Sequence, residues 1–170
     1  ALLAMAVAAE LGVPEETVRT GLAECRPPQH RLQLSEANGI RILDDAYNAN
    51  ADSVNASLGV LADLPCEGRR IVVLGSMAEL GERTRAAHEE AGQGAAALGI
   101  DVLMAVGEKA EATVAAARAA GLDDAVAFAD NVAAGEALCE CAQLGDVVLL
   151  KGSRAARLEE VGEYLRKRRM

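Results

Sequence analysis

Ile40-Arg41-Ile42-Leu43-Asp44-Asp45-Ala46-Tyr47-Asn48-Ala49-Asn50-Ala51-Asp52-Ser53 is the stretch on which the reading of this chain turns. An apolar strand over 40–43 runs into two acids, a tyrosine and two asparagines. A helical pattern follows, with Val54, Leu58 and Leu61 on one face and Asp52 or Ser53 placed to cap it. A strand that feeds a helix is the repeating unit of a parallel α/β sheet, and such sheets bind ligands at the carboxyl ends of their strands. The plainer alternative is a polar turn that caps the helix and leaves one acid solvated. Tyr47 weighs against it, because the chain holds only two Tyr, one Phe and no Trp.

The same alternation continues outward. Residues 31–35 alternate in polarity, Asn38-Gly39 is a strong hairpin signal, and 40–43 returns as the second strand. Further strands read at 71–74, 102–106, 125–128 and 147–150. Helices read from about Thr84, over about 108–120, from about Asn131, and from about Arg154. The last helix turns Leu158, Val161 and Leu165 inward and ends in Arg166-Lys167-Arg168-Arg169, which complements the helix C-terminus. The expected fold is therefore α/β: a mostly parallel sheet of about six strands, helices on both faces, and an N-terminal hairpin at one edge.

Residues 2–11 are apolar on nearly every helical face and so belong in an interior. Gly12 closes that helix, and Pro14-Glu15-Glu16 opens a second, with Val18 and Leu22 on its apolar side. Arg26-Pro27-Pro28-Gln29 reads as a linker. Two short helices cannot form a core alone. Residues 1–27 are therefore expected to be the trailing helices and hinge of a larger, truncated domain, with 28–170 as the main domain.

Composition narrows the function. Lys plus Arg number 17 against 26 Asp plus Glu, a formal charge of −9, which disfavours nucleic-acid and anionic-membrane binding. No apolar run reaches the ~20 residues that span a bilayer. Cys25, Cys66, Cys139 and Cys141 lack metal-site spacing and read as buried free thiols. There is no G-x-x-x-x-G-K-[ST] loop and no G-x-G-x-x-G after a strand, so the chain holds at most one side of a nucleotide. Of its two histidines, His88 reads as a half-exposed helix residue. Two further stretches sit at strand ends. Gly75–Gly81 is a loop with two flanking glycines, and Lys151-Gly152-Ser153-Arg154 offers two cations and a hydroxyl as an anion grip.

These residues carry a resemblance. The run 45–53 is similar to the Asp-x-Tyr-Asn-Ala-Asn-Pro-x-Ser signature of the Mur ligase family. The match is to its branch that adds D-alanyl-D-alanine to a UDP-N-acetylmuramoyl-tripeptide. His30-Arg31-Leu32, Gly75-Ser76-Met77-Ala78-Glu79-Leu80-Gly81, and Lys151-Gly152-Ser153-Arg154 with Leu158-Glu159 fit in the same order, over essentially the whole chain. Ala51 stands where the family usually has Pro, which is expected to loosen a turn, and Ser76 where it usually has Asp.

The resemblance implies a Rossmann-like C-terminal domain of an ATP-dependent, amide-forming ligase of peptidoglycan precursor synthesis, and with it a part in cell-wall biogenesis, cell shape and division. Such enzymes are cytoplasmic, and the full-length protein is expected to be monomeric. A carboxylate is activated by ATP as an acyl phosphate and then attacked by an amine, so fixed cations and amide donors lower the barrier most. The P-loop and the Mg2+ ligands belong to a central domain. No complete catalytic set and no metal site is expected in this chain, and the isolated fragment is expected to be inactive. By the same analogy Arg31, Asp45, Tyr47, Asn48 and Asn50 face ATP, with Asp45 on the ribose. Ser76, Glu79, Lys151, Ser153 and Arg154 receive the dipeptide. Two alternatives stay open: a sibling Mur-type or polyglutamate ligase, and a flavodoxin-like regulatory module with Asp44-Asp45 as a phosphoacceptor pocket.

Overall fold

The computed structural model describes residues 1–26 and 28–167. Two helices, α1 (Leu2–Glu10) and α2 (Glu15–Glu24), come first. Neither buries a residue, and Leu2, Leu3 and Leu11 are among the most exposed apolar side chains described. β1 (Gln33–Ala37) and β2 (Ile40–Asp45) follow as an antiparallel pair. Ala37 opposes Ile40, so the hairpin loop is Asn38-Gly39, and both residues adopt positive φ (55° and 71°), as a tight primed turn requires.

The remaining elements alternate: α3 (Ala51–Asp63), β3 (Arg70–Leu74), α4 (Thr84–Ala97), β4 (Val102–Val106), α5 (Ala110–Ala119), β5 (Ala125–Phe128), α6 (Asn131–Cys141), β6 (Val147–Lys151) and α7 (Glu159–Lys167). They build one six-stranded sheet in the order β1-β2-β6-β3-β4-β5, parallel except for the β1–β2 hairpin. Side-chain alternation along the strands divides the core. Leu43, Val72, Leu74, Leu103 and Leu149 pack under α3, α4 and α5. Ile42, Ile71, Val73, Met104, Val148 and Leu150 pack under α6 and α7. Each parallel strand is apolar on both faces because helices cover both. No helix among the described residues is long and apolar enough to cross a membrane.

Four expectations need correction. The cap of α3 is Asn50, neither Asp52 nor Ser53: its side chain accepts the Ser53 N–H at 2.8 Å, while Ser53 Oγ accepts the Asn50 N–H at 3.0 Å. That reciprocal pair satisfies two orphan donors of the first turn. Ala51 is therefore the first helical residue, a place where proline is favoured and its absence loosens no turn. The last helix does not begin at Arg154. A 3-10 turn, Arg154–Ala156, is followed by Arg157 in the left-handed region (φ 50°), and α7 starts at Glu159. The break lets Ala156 and Leu158 pack down on Gly75 and Gly152, where an added Cβ at Gly75 would sit 2.8 Å from Ala156. Leu158, Val161 and Leu165 are then fully buried, as their spacing predicts. Finally, the cysteines are free but not buried: Cys25 is exposed and the other three are partly covered. Of the basic tail, Arg166 and Lys167 pair with Glu163, while Arg168 and Arg169 lie outside the described residues.

Candidate functional site at the carboxyl edge of the sheet

Sheet order determines where a ligand fits. The chain leaves β2 for α3 on one face and leaves β6 for α7 on the other, so a crevice opens between the ends of these neighbours. The same reversal occurs between β6 and β3, whose following helix α4 lies on the first face. β6 thus has a crevice on each side.

At the β2–β6 crevice, Asp45 and Lys151 are register partners. Lys151 is 3% exposed, and its Nζ donates to Asp45 Oδ2 at 2.6 Å and to Asn48 O at 2.8 Å. Ser57 Oγ donates to the same Oδ2 at 2.6 Å, and Asp45 Oδ1 accepts the Leu32 N–H at 3.2 Å. A buried carboxylate requires such partners, since an unpaired charge in a low dielectric is strongly unfavourable. The Leu32 bond also draws the 30–32 turn onto the sheet. The Tyr47 N–H donates to His30 O at 3.0 Å, and His30 Nδ1 lies 2.9 Å from Asp44 Oδ2. His30 and Leu32 both take positive φ (59° and 48°), and the turn swings Arg31 outward over the Tyr47 ring, 4.2 Å from its centroid. A guanidinium held over an aromatic face can still offer N–H groups to an anion.

Arg31, Asp45, Tyr47, Asn48, Asn50 and Lys151 line one cavity of about 380 Å³, with Leu32, Ser53, Ala56 and Ser57 completing its walls. A larger groove of about 690 Å³ runs between α6 and α7. Most of its polar lining is already engaged: Asn131 with Glu160 and two carbonyls, Glu163 with Arg166 and Lys167. The smaller cavity is the one with an offered cation and a switch-point position.

All five residues expected to face the nucleotide thus share that cavity. Lys151 joins them there, on the opposite side of β6 from the group with which the sequence reading placed it. Ser76 and Ser153 meet at the β6–β3 crevice, where the Ser153 N–H donates to Ser76 O at 3.0 Å. Ser153 is buried, Glu79 is exposed with φ 61°, and Arg154 is exposed and pairs with Glu159 at 2.7 Å. A phosphoacceptor role for Asp44-Asp45 needs a free carboxylate, and both acids are engaged, by His30 and by Lys151. Among the described residues no group of three or more His, Cys, Asp or Glu is arranged to hold a metal ion.

Two buried polar side chains are placed differently from what the sequence alone suggests or emphasises. Ser57 reinforces Asp45, and helical spacing from Ser53 already placed it on the same side of α3. His88 is 4% exposed rather than half-exposed, because it continues the inward face of α4 formed by Ala91 and Ala95. That periodicity was readable.

Comparison with known proteins agrees with the fold. The family model described as "Mur ligase, glutamate ligase domain" matches residues 30–154. A UDP-N-acetylmuramoyl-tripeptide–D-alanyl-D-alanine ligase of Escherichia coli (strain K12) is 36% identical over 162 residues, 95% of this chain and 35% of that protein. One from Mycobacterium tuberculosis (strain CDC 1551 / Oshkosh) is 39% identical over 186 residues, 97% of this chain and 36% of that protein. Among solved structures, MurF of Acinetobacter baumannii superimposes with a TM-score of 0.85 at 29% identity, covering 95% of this chain and 35% of that one. MurF of Thermotoga maritima, in complex with ADP, gives 0.77 at 30% identity, covering 96% and 36%. The chain spans little more than a third of the length of these relatives. With a family model across most of its length and the motif residues gathered at one sheet edge, the chain belongs to the Mur ligase family, whose glutamate ligase domain it carries.

Proposed function

We propose that this chain is the C-terminal domain of an ATP-dependent ligase that joins D-alanyl-D-alanine to a UDP-N-acetylmuramoyl-tripeptide in peptidoglycan precursor synthesis. The observation that carries the reading is the convergence of Arg31, Tyr47, Asp45 and Lys151 in one switch-point cavity. The names of the similar proteins supply the substrates. Residues 1–27 are the closing helices and hinge of a preceding domain, whose apolar surface covers α1. The whole enzyme works as a cytoplasmic monomer.

In this reading the domain swings over ATP held elsewhere in the enzyme. Arg31, braced on Tyr47, contacts the phosphates. Asp45 has about four lone-pair positions. Three are filled by Leu32, Ser57 and Lys151, leaving one for a ribose hydroxyl. Asn48 and Asn50 line the same wall. Across β6, Ser76, Glu79, Ser153 and Arg154 receive the dipeptide, with Arg154 facing its carboxylate. ATP activates the tripeptide carboxylate as an acyl phosphate, and the dipeptide amine attacks it with loss of phosphate. Fixed cations beside the transferring group favour the charge that develops. Mg2+ would supply charge neutralisation on the phosphates, with ligands contributed by the rest of the enzyme.

The test is an amine panel on the full-length ligase, with ADP release as readout. Turnover with D-alanyl-D-alanine, and none with D-glutamate or with glutamate on a folate, is the expected result. The isolated 170 residues release no ADP under the same conditions. Preference for another amine would move the chain to a sibling ligase.

A further inference from the structure

His88 stands on α4, outside the Arg31–Lys151 cavity, and no step above uses it. Its Nε2 accepts the Met77 N–H at 3.1 Å, and its Nδ1 lies 2.7 Å from Thr84 O. A backbone N–H can only donate and a carbonyl can only accept, so the two bonds are met together by the ring with its proton on Nδ1. Met77 is 6% exposed, so without His88 its N–H would be buried with no partner.

The loop that carries Met77 is conformationally demanding. Glu79 and Gly81 both take positive φ (61° and 54°), and a non-glycine residue stays there only when its surroundings hold it. One side of the loop is tied to β6: the Gly75 N–H donates to Lys151 O at 2.8 Å, and the Ser153 N–H to Ser76 O at 3.0 Å. The opposite side is tied to α4 through His88. The imidazole thus sets the distance between the helix and the segment bearing Ser76 and Glu79.

We propose that His88 is a positioning residue for the amine substrate: by accepting the Met77 N–H it holds Ser76 and Glu79 at the β6–β3 crevice. The inference rests on the reading of that crevice as the dipeptide side, and the two can fail separately.

The first measurement needs no variant. In the 15N-labelled 170-residue chain, a coupling across the Met77 N–H···Nε2 bond is expected, and an imidazole pattern with the proton on Nε2 would overturn the proposal. The second compares His88→Leu and His88→Gln in the full-length ligase. Loss of a bond to a buried N–H predicts that His88→Leu raises KM for D-alanyl-D-alanine about tenfold or more. KM for ATP is expected to stay within about twofold, because the nucleotide cavity lies across β6. His88→Gln, whose side-chain oxygen can accept from Met77, is expected to recover most of the loss. An equal rise in both KM values with no rescue by glutamine would reduce His88 to a core residue and sink the proposal. So would a shifted Met77 amide with an unchanged dipeptide KM. If the unmutated ligase does not use the dipeptide at all, the functional reading fails, while the Met77 coupling still decides whether His88 holds the loop.

Discussion

Asp45 and Lys151 face each other on adjacent parallel strands, with Lys151 Nζ 2.6 Å from Asp45 Oδ2, although 106 residues separate them in sequence. The pair joins the end of β2 to the end of β6, and through Leu32 and Asn48 it fixes both walls of the cavity. Side-chain exposures of 3% for Lys151 and 12% for Asp45 place it among buried ion pairs. For such pairs, removing one partner costs far more than the pair's net worth.

Lys151→Met is accordingly expected to destabilise the chain by about 3–5 kcal/mol, read from urea denaturation. Adding Asp45→Asn should return part of that loss, because the stranded carboxylate is gone. A loss below about 1 kcal/mol for the single change would mean the pair behaves as a solvated one.

Arg31 is exposed and stacks on Tyr47, so its replacement separates binding from stability. Arg31→Ala should shift the unfolding free energy by less than about 1 kcal/mol. In the full-length ligase it should weaken nucleotide binding about tenfold or more, measured calorimetrically with ADP. Arg31→Lys should rescue little, since an ammonium neither stacks flat nor forks. Full affinity in the lysine variant would remove the stacked geometry from the account.

Ala51 occupies the first position of α3, after Asn50 in extended backbone (φ −136°, ψ 171°) that tolerates a following proline. Ala51→Pro is therefore predicted to stabilise the domain by about 0.4–1 kcal/mol by restricting the unfolded chain. A lowered melting temperature would show that the helix start is strained. The counterpart Asn50→Ala should cost about 1 kcal/mol through loss of the cap.

Burial pushes the Cys141 thiol above its ordinary value, whereas Cys25 is exposed. Iodoacetamide should modify Cys25 first and Cys141 slowly, as peptide mapping over time would show. The folded thiol keeps its proton to higher pH than the unfolded one. Its contribution is fully present below the ordinary thiol value and is lost as pH rises from there through the raised folded value. Cys141→Ala should flatten the fall in denaturant midpoint between about pH 8 and pH 10 relative to the unmutated chain.

Much of this molecule was legible before any coordinate. Residues 102–106 and 125–128 read as strands with the bounds they adopt, because continuous apolar runs between turn signals leave few other states. Asn38-Gly39 read as the hairpin loop because both positions demand positive φ. The five residues expected to face ATP share one cavity, since Asp45 to Asn50 are neighbours in sequence and only Arg31 had to be brought to them.

What escaped was lateral. Lys151 read as a member of the dipeptide group because Ser153 and Arg154 adjoin it in sequence, yet it projects to the other side of β6. His88 read as half-exposed because its polarity outweighed its place on the inward face of α4. In both cases the partner, Asp45 or the Met77 amide, lies on another element.

Periodicity, turn chemistry and capping are local, so the amino-acid sequence by itself determined the elements, their order, the faces they bury and the sheet edge that carries the polar residues. Only the tertiary structure decided that β6 inserts between β2 and β3. That order depends on helices packing on both faces of one sheet, a non-local balance that no window of residues records. It splits the carboxyl edge into two crevices, sets Lys151 against Asp45, and leaves the loop 75–81 spanning from β6 to His88.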